Sequence, residues 1–120
     1  MILIVDDDQD VCKILGLLLK NAGYSTLAMH SLADAYDYFD HGGRPELVVL
    51  DLSLVGEDGN CLLRWFQKND IDPPVIVLSA FVDQLHDKFR GTVAVAEKPI
   101  TGSAFVNLVK QHASDRAAGK

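Results

Sequence analysis

The sequence is short of positive charge and of long apolar stretches. Its 120 residues include 11 Lys and Arg against 17 Asp and Glu, which gives a formal net charge of −6. Because sequence-independent DNA binding needs a basic face, this balance argues against direct nucleic-acid binding by the domain. No apolar run approaches the roughly 20 residues that span a bilayer. We therefore expect neither nucleic acid nor membrane as a partner.

Secretion signals and metal-binding cysteines are also missing. The apolar stretch Met1–Val5 runs directly into three aspartates, without a basic flank or a cleavage site. The two cysteines, Cys12 and Cys61, lie in apolar helical surroundings and lack zinc-ligand spacing. We interpret them as buried free thiols in a cytoplasmic protein.

What the sequence does have is a regular alternation of two kinds of apolar segment. Short apolar runs predict five buried strands, at Ile2–Val5, Tyr24–Met29, Glu46–Asp51, Val75–Leu78 and Val93–Ala96. The segments between them predict helices at Val11–Ala22, Ser31–His41, Gly59–Lys68, Asp83–Arg90 and Thr101–Ala113. We expect one domain over residues 1–113, with a polar tail or the start of a linker over residues 114–120.

This alternation predicts an α/β fold. Strands that are apolar on both faces and alternate with helices indicate a parallel sheet covered on both sides. Right-handed crossovers leave few topologies for such a sheet. Among them we choose the flavodoxin-like strand order 2-1-3-4-5, in a three-layer sandwich.

Polar side chains follow the predicted strands at one end of this sheet. Asp6 and Asp7 follow the first strand, Asp51 the third, Ser79 the fourth and Lys98 the fifth. Ligands of such sheets bind beyond the carboxyl ends of the strands. Three carboxylates in one cleft repel each other and raise each other's pKa, and a divalent cation such as Mg²⁺ resolves that conflict. With the Lys98 charge and the Ser79 hydroxyl, the pattern predicts a site for a tetrahedral oxyanion beside a metal.

Each residue of this set also has a plain structural interpretation. Asp8 is most simply the N-cap of the first helix. Asp6 and Asp7 taken alone are compatible with loop carboxylates, and serines and lysines end strands routinely. Asp51 is more informative, because a carboxylate that closes a buried apolar run is costly unless it has a task. It is the joint arrangement, at one end of one sheet, that points to a function.

The same residues resemble the receiver domains of two-component response regulators. The similarity covers Ile2 to His112. It rests on these segments: Ile4-Val5-Asp6-Asp7, Val49-Leu50-Asp51-Leu52, Asp58-Gly59, Val77-Leu78-Ser79-Ala80 and Lys98-Pro99.

The resemblance implies a role for each residue of the site. Asp51 is implied to be the phosphoacceptor and to lie at the metal. Asp7 is implied to bind Mg²⁺ directly, Asp6 mostly through water, and Ser53 through its backbone carbonyl. Ser79 and Lys98 match residues that contact the phosphoryl oxygens. The Lys98–Pro99 bond is implied to be cis, which aims the lysine into the site.

The implied reaction is phosphoryl transfer to Asp51 from the phosphohistidine of a sensor histidine kinase or a histidine phosphotransfer protein. The domain is not a conventional enzyme in this scheme. It catalyses its own phosphorylation and a slow autodephosphorylation, and it signals to a downstream output domain or protein. Phe81, two residues beyond Ser79, either flanks the path of the hydrolytic water or packs around the fourth helix.

Three features depart from the family's pattern. Leu54-Val55 stands where Met-Pro is frequent, Val95 stands where a switch aromatic is frequent, and the stretch from Ser79 to Lys98 is a few residues short. We expect the acceptor chemistry to be kept. The usual helix-and-aromatic switch is not expected to carry over unchanged.

Three other classes of function are compatible with parts of this pattern. A phosphatase of the haloacid dehalogenase type needs Asp-x-Asp at the nucleophile, but position 53 is Ser. A flavin-binding or purely structural domain of the same fold needs a phosphate-binding loop after the first strand, where three aspartates would repel a phosphate. A receiver-like interaction module that is not phosphorylated is the remaining alternative, favoured by Val95 and the short stretch before Lys98.

Overall fold

A five-stranded parallel sheet forms the centre of the computed structural model, which describes the backbone of residues 1–118 and the side chains of residues 1–113. The strands are β1 (Ile2–Val5), β2 (Thr26–Met29), β3 (Leu47–Leu50), β4 (Ser53–Leu54), β5 (Glu57–Asp58), β6 (Val75–Ser79) and β7 (Ala94–Glu97). The helices are α1 (Gln9–Asn21), α2 (Leu32–Asp40), α3 (Asn60–Lys68) and α4 (Gly102–Ala118). The main sheet has the order β2-β1-β3-β6-β7, while β4 and β5 form a separate antiparallel pair. The predicted order, 2-1-3-4-5 for the five main strands, is confirmed.

Helices cover both faces of the sheet. Ile2 and Ile4 of β1 pack with apolar side chains of α1 and α4, whereas Leu3 and Val5 pack with those of α2 and α3. Successive side chains of a strand point to opposite faces, so each central strand contributes side chains to two separate hydrophobic cores. This is why the strands appear in the sequence as unbroken apolar runs, and the predicted three-layer sandwich is confirmed.

Two of the helices begin at the predicted capping residues. The Asp8 carboxylate accepts hydrogen bonds from the amides of Asp10 at 2.9 Å and Val11 at 3.2 Å. The Ser31 hydroxyl accepts one from the Asp34 amide at 3.2 Å. Each cap satisfies backbone donors that have no partner inside the first helical turn. The Asp8 carboxylate is therefore engaged as the N-cap of α1.

The predicted helix at Asp83–Arg90 is wrong. Two short 3-10 turns, Val82–Gln84 and Asp87–Phe89, occupy this part of the chain. Between them the backbone is extended, with ψ of 126° at Leu85 and 139° at His86. Leu85 and Phe89 are both buried, and their spacing of four residues imitates a helical pattern.

Most element boundaries lie within two residues of the predictions. The segment Leu52–Asp58, for which neither strand nor helix was predicted, contains the β4–β5 hairpin, which turns at Gly56 with a φ of +70° that favours glycine. Helix α4 continues to Ala118 instead of ending at Ala113. For the predicted polar tail, residues 119–120 and the side chains from position 114 onward lie outside the described residues. Within the described part of the chain, none of the helices has the length and apolar character to cross a membrane.

Candidate functional site

Three carboxylates meet where β1 and β3 end. The two strands are parallel neighbours with Val5 beside Leu50, so the residues that follow them emerge side by side. The amide of Asp51 donates to the carbonyl of Val5 at 3.0 Å, which extends the pairing by one residue. One oxygen from each of the carboxylates of Asp6, Asp7 and Asp51 lies within 4.8 Å of the others. The sequence prediction that these aspartates converge is confirmed.

Lys98 brings a cation into this acidic cleft from β7. Its ammonium Nζ lies 2.7 Å from Asp6 Oδ2 and 3.3 Å from Asp51 Oδ2. Its backbone amide donates to the carbonyl of Ser79 at 3.0 Å, and the Lys98–Pro99 bond that follows is cis, as expected. One lysine therefore faces three carboxylates, which leaves the cleft with an excess of negative charge.

Burial and charge act in opposite directions on this ion pair. Burial raises the pKa of Asp6, which is only 2% exposed, and outweighs the opposing effect of its hydrogen bond to Lys98. For Lys98, burial alone would lower the pKa. The hydrogen bond to Asp6 and the charges of Asp6 and Asp51 outweigh burial and raise the pKa. The Lys98 side chain is therefore protonated and positively charged at neutral pH.

The β4–β5 hairpin closes one side of the cleft. Asp7 Oδ2 accepts a hydrogen bond from the amide of Val55 at 2.8 Å, and Asp51 Oδ1 accepts one from the amide of Ser53 at 3.2 Å. Gly59, directly after the hairpin, packs against the backbone of Asp51 and Leu52. A Cβ at that position would lie 2.5 Å from the backbone oxygen of Asp51. This close approach gives a physical reason for glycine in the Asp58-Gly59 pair.

Ser79 ends β6 and is fully buried. Its Oγ accepts a hydrogen bond from the amide of Phe81 at 3.1 Å, so the hydroxyl hydrogen is left to donate elsewhere. The Phe81 side chain is 47% exposed. The interpretation of Phe81 as a core residue around a fourth helix is therefore wrong.

Sequence reasoning missed two neighbours of the first aspartate. Cys12 Sγ lies 3.3 Å from the backbone oxygen of Asp6, and His30 Nδ1 lies 3.0 Å from the same oxygen. Burial, with the nearby charge of Asp6, raises the pKa of the Cys12 thiol to about 11. Both cysteines are free thiols; Cys12 is buried as predicted, but Cys61 is only half-buried. The position of His30, directly after β2 at the same sheet edge, was the signal available in the sequence.

The fold and the acidic site together define a receiver domain. The chain belongs to the response regulator receiver domain family, whose sequence profile matches residues 2–114. The family assignment agrees with the observed structure, a parallel sheet of the predicted strand order with carboxylates beyond the ends of β1 and β3.

Similar proteins extend this assignment. The chain is 39% identical over 90 residues to the uncharacterized transcriptional regulatory protein YkoG of Bacillus subtilis, a match that covers 75% of this chain and 39% of YkoG. It is 28% identical over 120 residues to the polar-differentiation response regulator DivK of Brucella anthropi, covering 95% and 96% of the two chains. The signal receiver domain of a putative LuxO repressor protein from Vibrio parahaemolyticus superposes with a TM-score of 0.86 at 25% identity, covering 98% of this chain and 92% of that one. The chain thus spans about two fifths of YkoG and nearly all of DivK.

Proposed function

We propose that this chain is a phosphoryl-accepting signalling switch that takes a phosphoryl group onto Asp51 from a phosphohistidine. The observation that carries the proposal is the setting of Asp51. A carboxylate oxygen of Asp51 lies within 4.8 Å of those of Asp6 and Asp7, which follow β1, its Oδ2 lies 3.3 Å from the Lys98 ammonium, and the residue remains 8% exposed. A nearly buried carboxylate with a neighbouring cation and an open side is suited to act as a nucleophile.

The transfer needs few groups beyond the nucleophile. A carboxylate oxygen of Asp51 attacks phosphorus, the bond from phosphorus to the imidazole nitrogen breaks, and the imidazole keeps the electron pair. The product is an acyl phosphate on Asp51. In this scheme Lys98, whose Nζ lies 3.3 Å from Asp51 Oδ2, and the Ser79 hydroxyl, which keeps its hydrogen free to donate, stabilise the phosphoryl oxygens.

The donor set of the cleft fits Mg²⁺. Hard oxygen ligands are what this ion takes, and three carboxylates with one lysine leave negative charge uncompensated. Asp6, Asp7, Asp51 and the backbone carbonyl of Ser53 are the groups that would hold it. When bound, the ion would neutralise charge on the carboxylates and on the incoming phosphoryl group.

The signal is the charge that Asp51 gains. Slow hydrolysis of the acyl phosphate resets the domain. The partners in this scheme are a sensor histidine kinase or a histidine phosphotransfer protein upstream and an output domain or protein downstream, all in the cytoplasm. We assign the receiver unit to residues 1–113 and residues 114–120 to a polar tail or the start of a linker, into which the backbone of α4 extends as far as Ala118.

Phosphotransfer from purified histidine kinases tests the proposal. Kinases labelled on histidine with radioactive ATP are mixed with the chain, with and without a chelator. Label should move to the chain only with Mg²⁺ and should be stable in acid but released by hydroxylamine. No transfer from any kinase or from acetyl phosphate would leave the alternative of an unphosphorylated interaction module.

A further inference from the structure

Asn60, the first residue of α3, is a buried polar side chain with three partners. It is 1% exposed. Its Nδ2 donates to Asp58 Oδ1 at 2.8 Å and to the backbone oxygen of Gln84 at 2.9 Å. Its Oδ1 accepts from the backbone amide of His86 at 2.9 Å. Both donors and the acceptor of the amide are thus engaged, in a position that water barely reaches.

These bonds join two parts of the molecule that flank the acceptor site. Asp58 belongs to the hairpin and pairs with Ser53, two residues after the acceptor aspartate. On the other side, the Gln84 amide donates to the Phe81 carbonyl at 2.9 Å, and the Phe81 amide donates to Ser79 Oγ at 3.1 Å. A continuous hydrogen-bonded path therefore runs from Asn60 to the Ser79 hydroxyl.

The extended backbone of this segment explains why the side chain is needed. An α-helix here would satisfy the Gln84 carbonyl and the His86 amide internally, but the chain is extended at positions 85 and 86. Asn60 supplies the partners that the missing helical turn would have supplied. Without it, two backbone groups would lose their only partners among the described residues, at a free-energy cost typical of unsatisfied buried groups.

We propose that Asn60 is a positioning residue for the phosphoryl-acceptor site. It holds the turn at positions 81–86 against the start of α3 and so fixes both the Ser79 hydroxyl and the exposed Phe81 at the site's edge. The proposal rests on the function proposed for Asp51. Between Ser79 and Ala94 the chain forms two short 3-10 turns and no α-helix. The Asn60 amide provides the hydrogen bonds to Gln84 and His86 that an α-helix would have provided.

Two substitutions test it against a matched control. Asn60→Leu removes all three hydrogen bonds and keeps an apolar fit to the buried site. Asn60→Asp keeps the acceptor for the His86 amide and loses the bonds to Asp58 and Gln84. Asn69→Ala is the control, because Asn69 at the other end of α3 also makes a side-chain bond to backbone, with its Nδ2 2.9 Å from the Trp65 carbonyl.

Three quantities are measured: the rate of labelling of the full chain by acetyl phosphate, the half-life of the acyl phosphate, and hydrogen exchange of the Phe81 amide by NMR. For both Asn60 variants we expect labelling to slow and the half-life to shorten by about fivefold each, the factor that one hydrogen bond is typically worth. Exchange at Phe81 should accelerate by a similar factor. Asn69→Ala should change none of the three.

The outcomes separate the possible failures. If the Asn60 variants melt at lower temperature but keep wild-type labelling, half-life and Phe81 exchange, Asn60 is only structural and the proposal is overturned. If Asn60→Leu does not fold, Asn60→Asp decides by the same criteria. If the wild-type chain is never labelled on Asp51, the proposed function fails, and unchanged Phe81 exchange in the variants would then refute the coupling independently.

Discussion

At the scale of single residues, the site balances one lysine against three aspartates. Lys98 makes its shorter contact with Asp6, at 2.7 Å, and its longer contact with Asp51, at 3.3 Å. Lys98 therefore holds Asp51 less closely than it holds Asp6. This difference is compatible with the role of nucleophile that we propose for Asp51.

Phe81 gives a prediction about the lifetime of the phosphorylated state. A half-exposed phenyl ring cannot hold or orient a water molecule, and it can shield an acyl phosphate. Phe81→Gln should therefore speed hydrolysis, measured as loss of label after removal of the phosphodonor. Phe81→Leu, which stays apolar, is the control. An unchanged rate in Phe81→Gln with only a lower melting temperature would show that the ring does not act as a shield.

At the scale of elements, the sequence predicts the strands of the main sheet but not the conformation of the segment between β6 and β7. The central strands β1, β3 and β6 were predictable because burial on both faces leaves unbroken apolar runs. The edge strands β2 and β7 were predicted as buried but are only partly buried. The absence of a helix at Asp83–Arg90 was not predictable. Leu85 and Phe89 have helical spacing, but side chains from elsewhere in the chain form hydrogen bonds with the backbone groups that a helix would pair. The Asn60 side chain takes the Gln84 carbonyl. Such a contact, 24 residues apart in the chain, leaves no local pattern.

The site itself was largely predictable, for the same reason that the strands were. Once the strand order is known, the residues after β1, β3, β6 and β7 must meet at one edge. The hairpin's contribution was not foreseen, since the bond from the Val55 amide to Asp7 depends on a turn and not on a side-chain type. Val95, where a switch aromatic is frequent, is 41% exposed on β7, which leaves an aliphatic side chain at that surface.

Arg90 gives the prediction at this scale. Its Nη2 donates to the carbonyls of Val82 at 3.3 Å, Asp83 at 3.5 Å and Leu85 at 3.1 Å, which a helix would otherwise engage. Arg90→Ala should lower the free energy of unfolding by about 1–2 kcal/mol, measured by urea denaturation. Arg90→Lys keeps the charge but lacks the planar fork and should recover little of the loss. Full recovery by Lys would mean that charge, not hydrogen-bond geometry, stabilises the segment.

At the scale of the whole molecule, the acidic cleft predicts that metal binding and stability are linked. The chain carries a formal net charge of −6, and three of its carboxylates are held together at one sheet edge. Folding must overcome their repulsion, and a bound cation would relieve it. Stability should therefore rise with Mg²⁺ concentration, by about 1.4 kcal/mol at ten times the dissociation constant.

Substitution of neighbouring aspartates tests this link. Asp7→Ala should raise the melting temperature of the metal-free protein by relieving repulsion, and it should remove most of the Mg²⁺-dependent increase. Asp8→Ala should lower stability by about 1 kcal/mol through loss of the α1 cap and keep the Mg²⁺ effect. Thermal melts with and without Mg²⁺ measure both. Equal loss of the Mg²⁺ effect in the two variants would contradict the assignment of Asp7 to the metal and Asp8 to the helix.

Site mapping of the label tests whether Asp51 is the phosphoryl acceptor. The chain is treated with acetyl phosphate and Mg²⁺, and its intact mass is compared with that of Asp51→Asn, which keeps the shape of the side chain but loses the nucleophile. We predict one added phosphoryl group on the wild-type chain, labile to hydroxylamine, and none on a variant that folds normally. A hydroxylamine-sensitive phosphoryl group on Asp51→Asn would contradict the account.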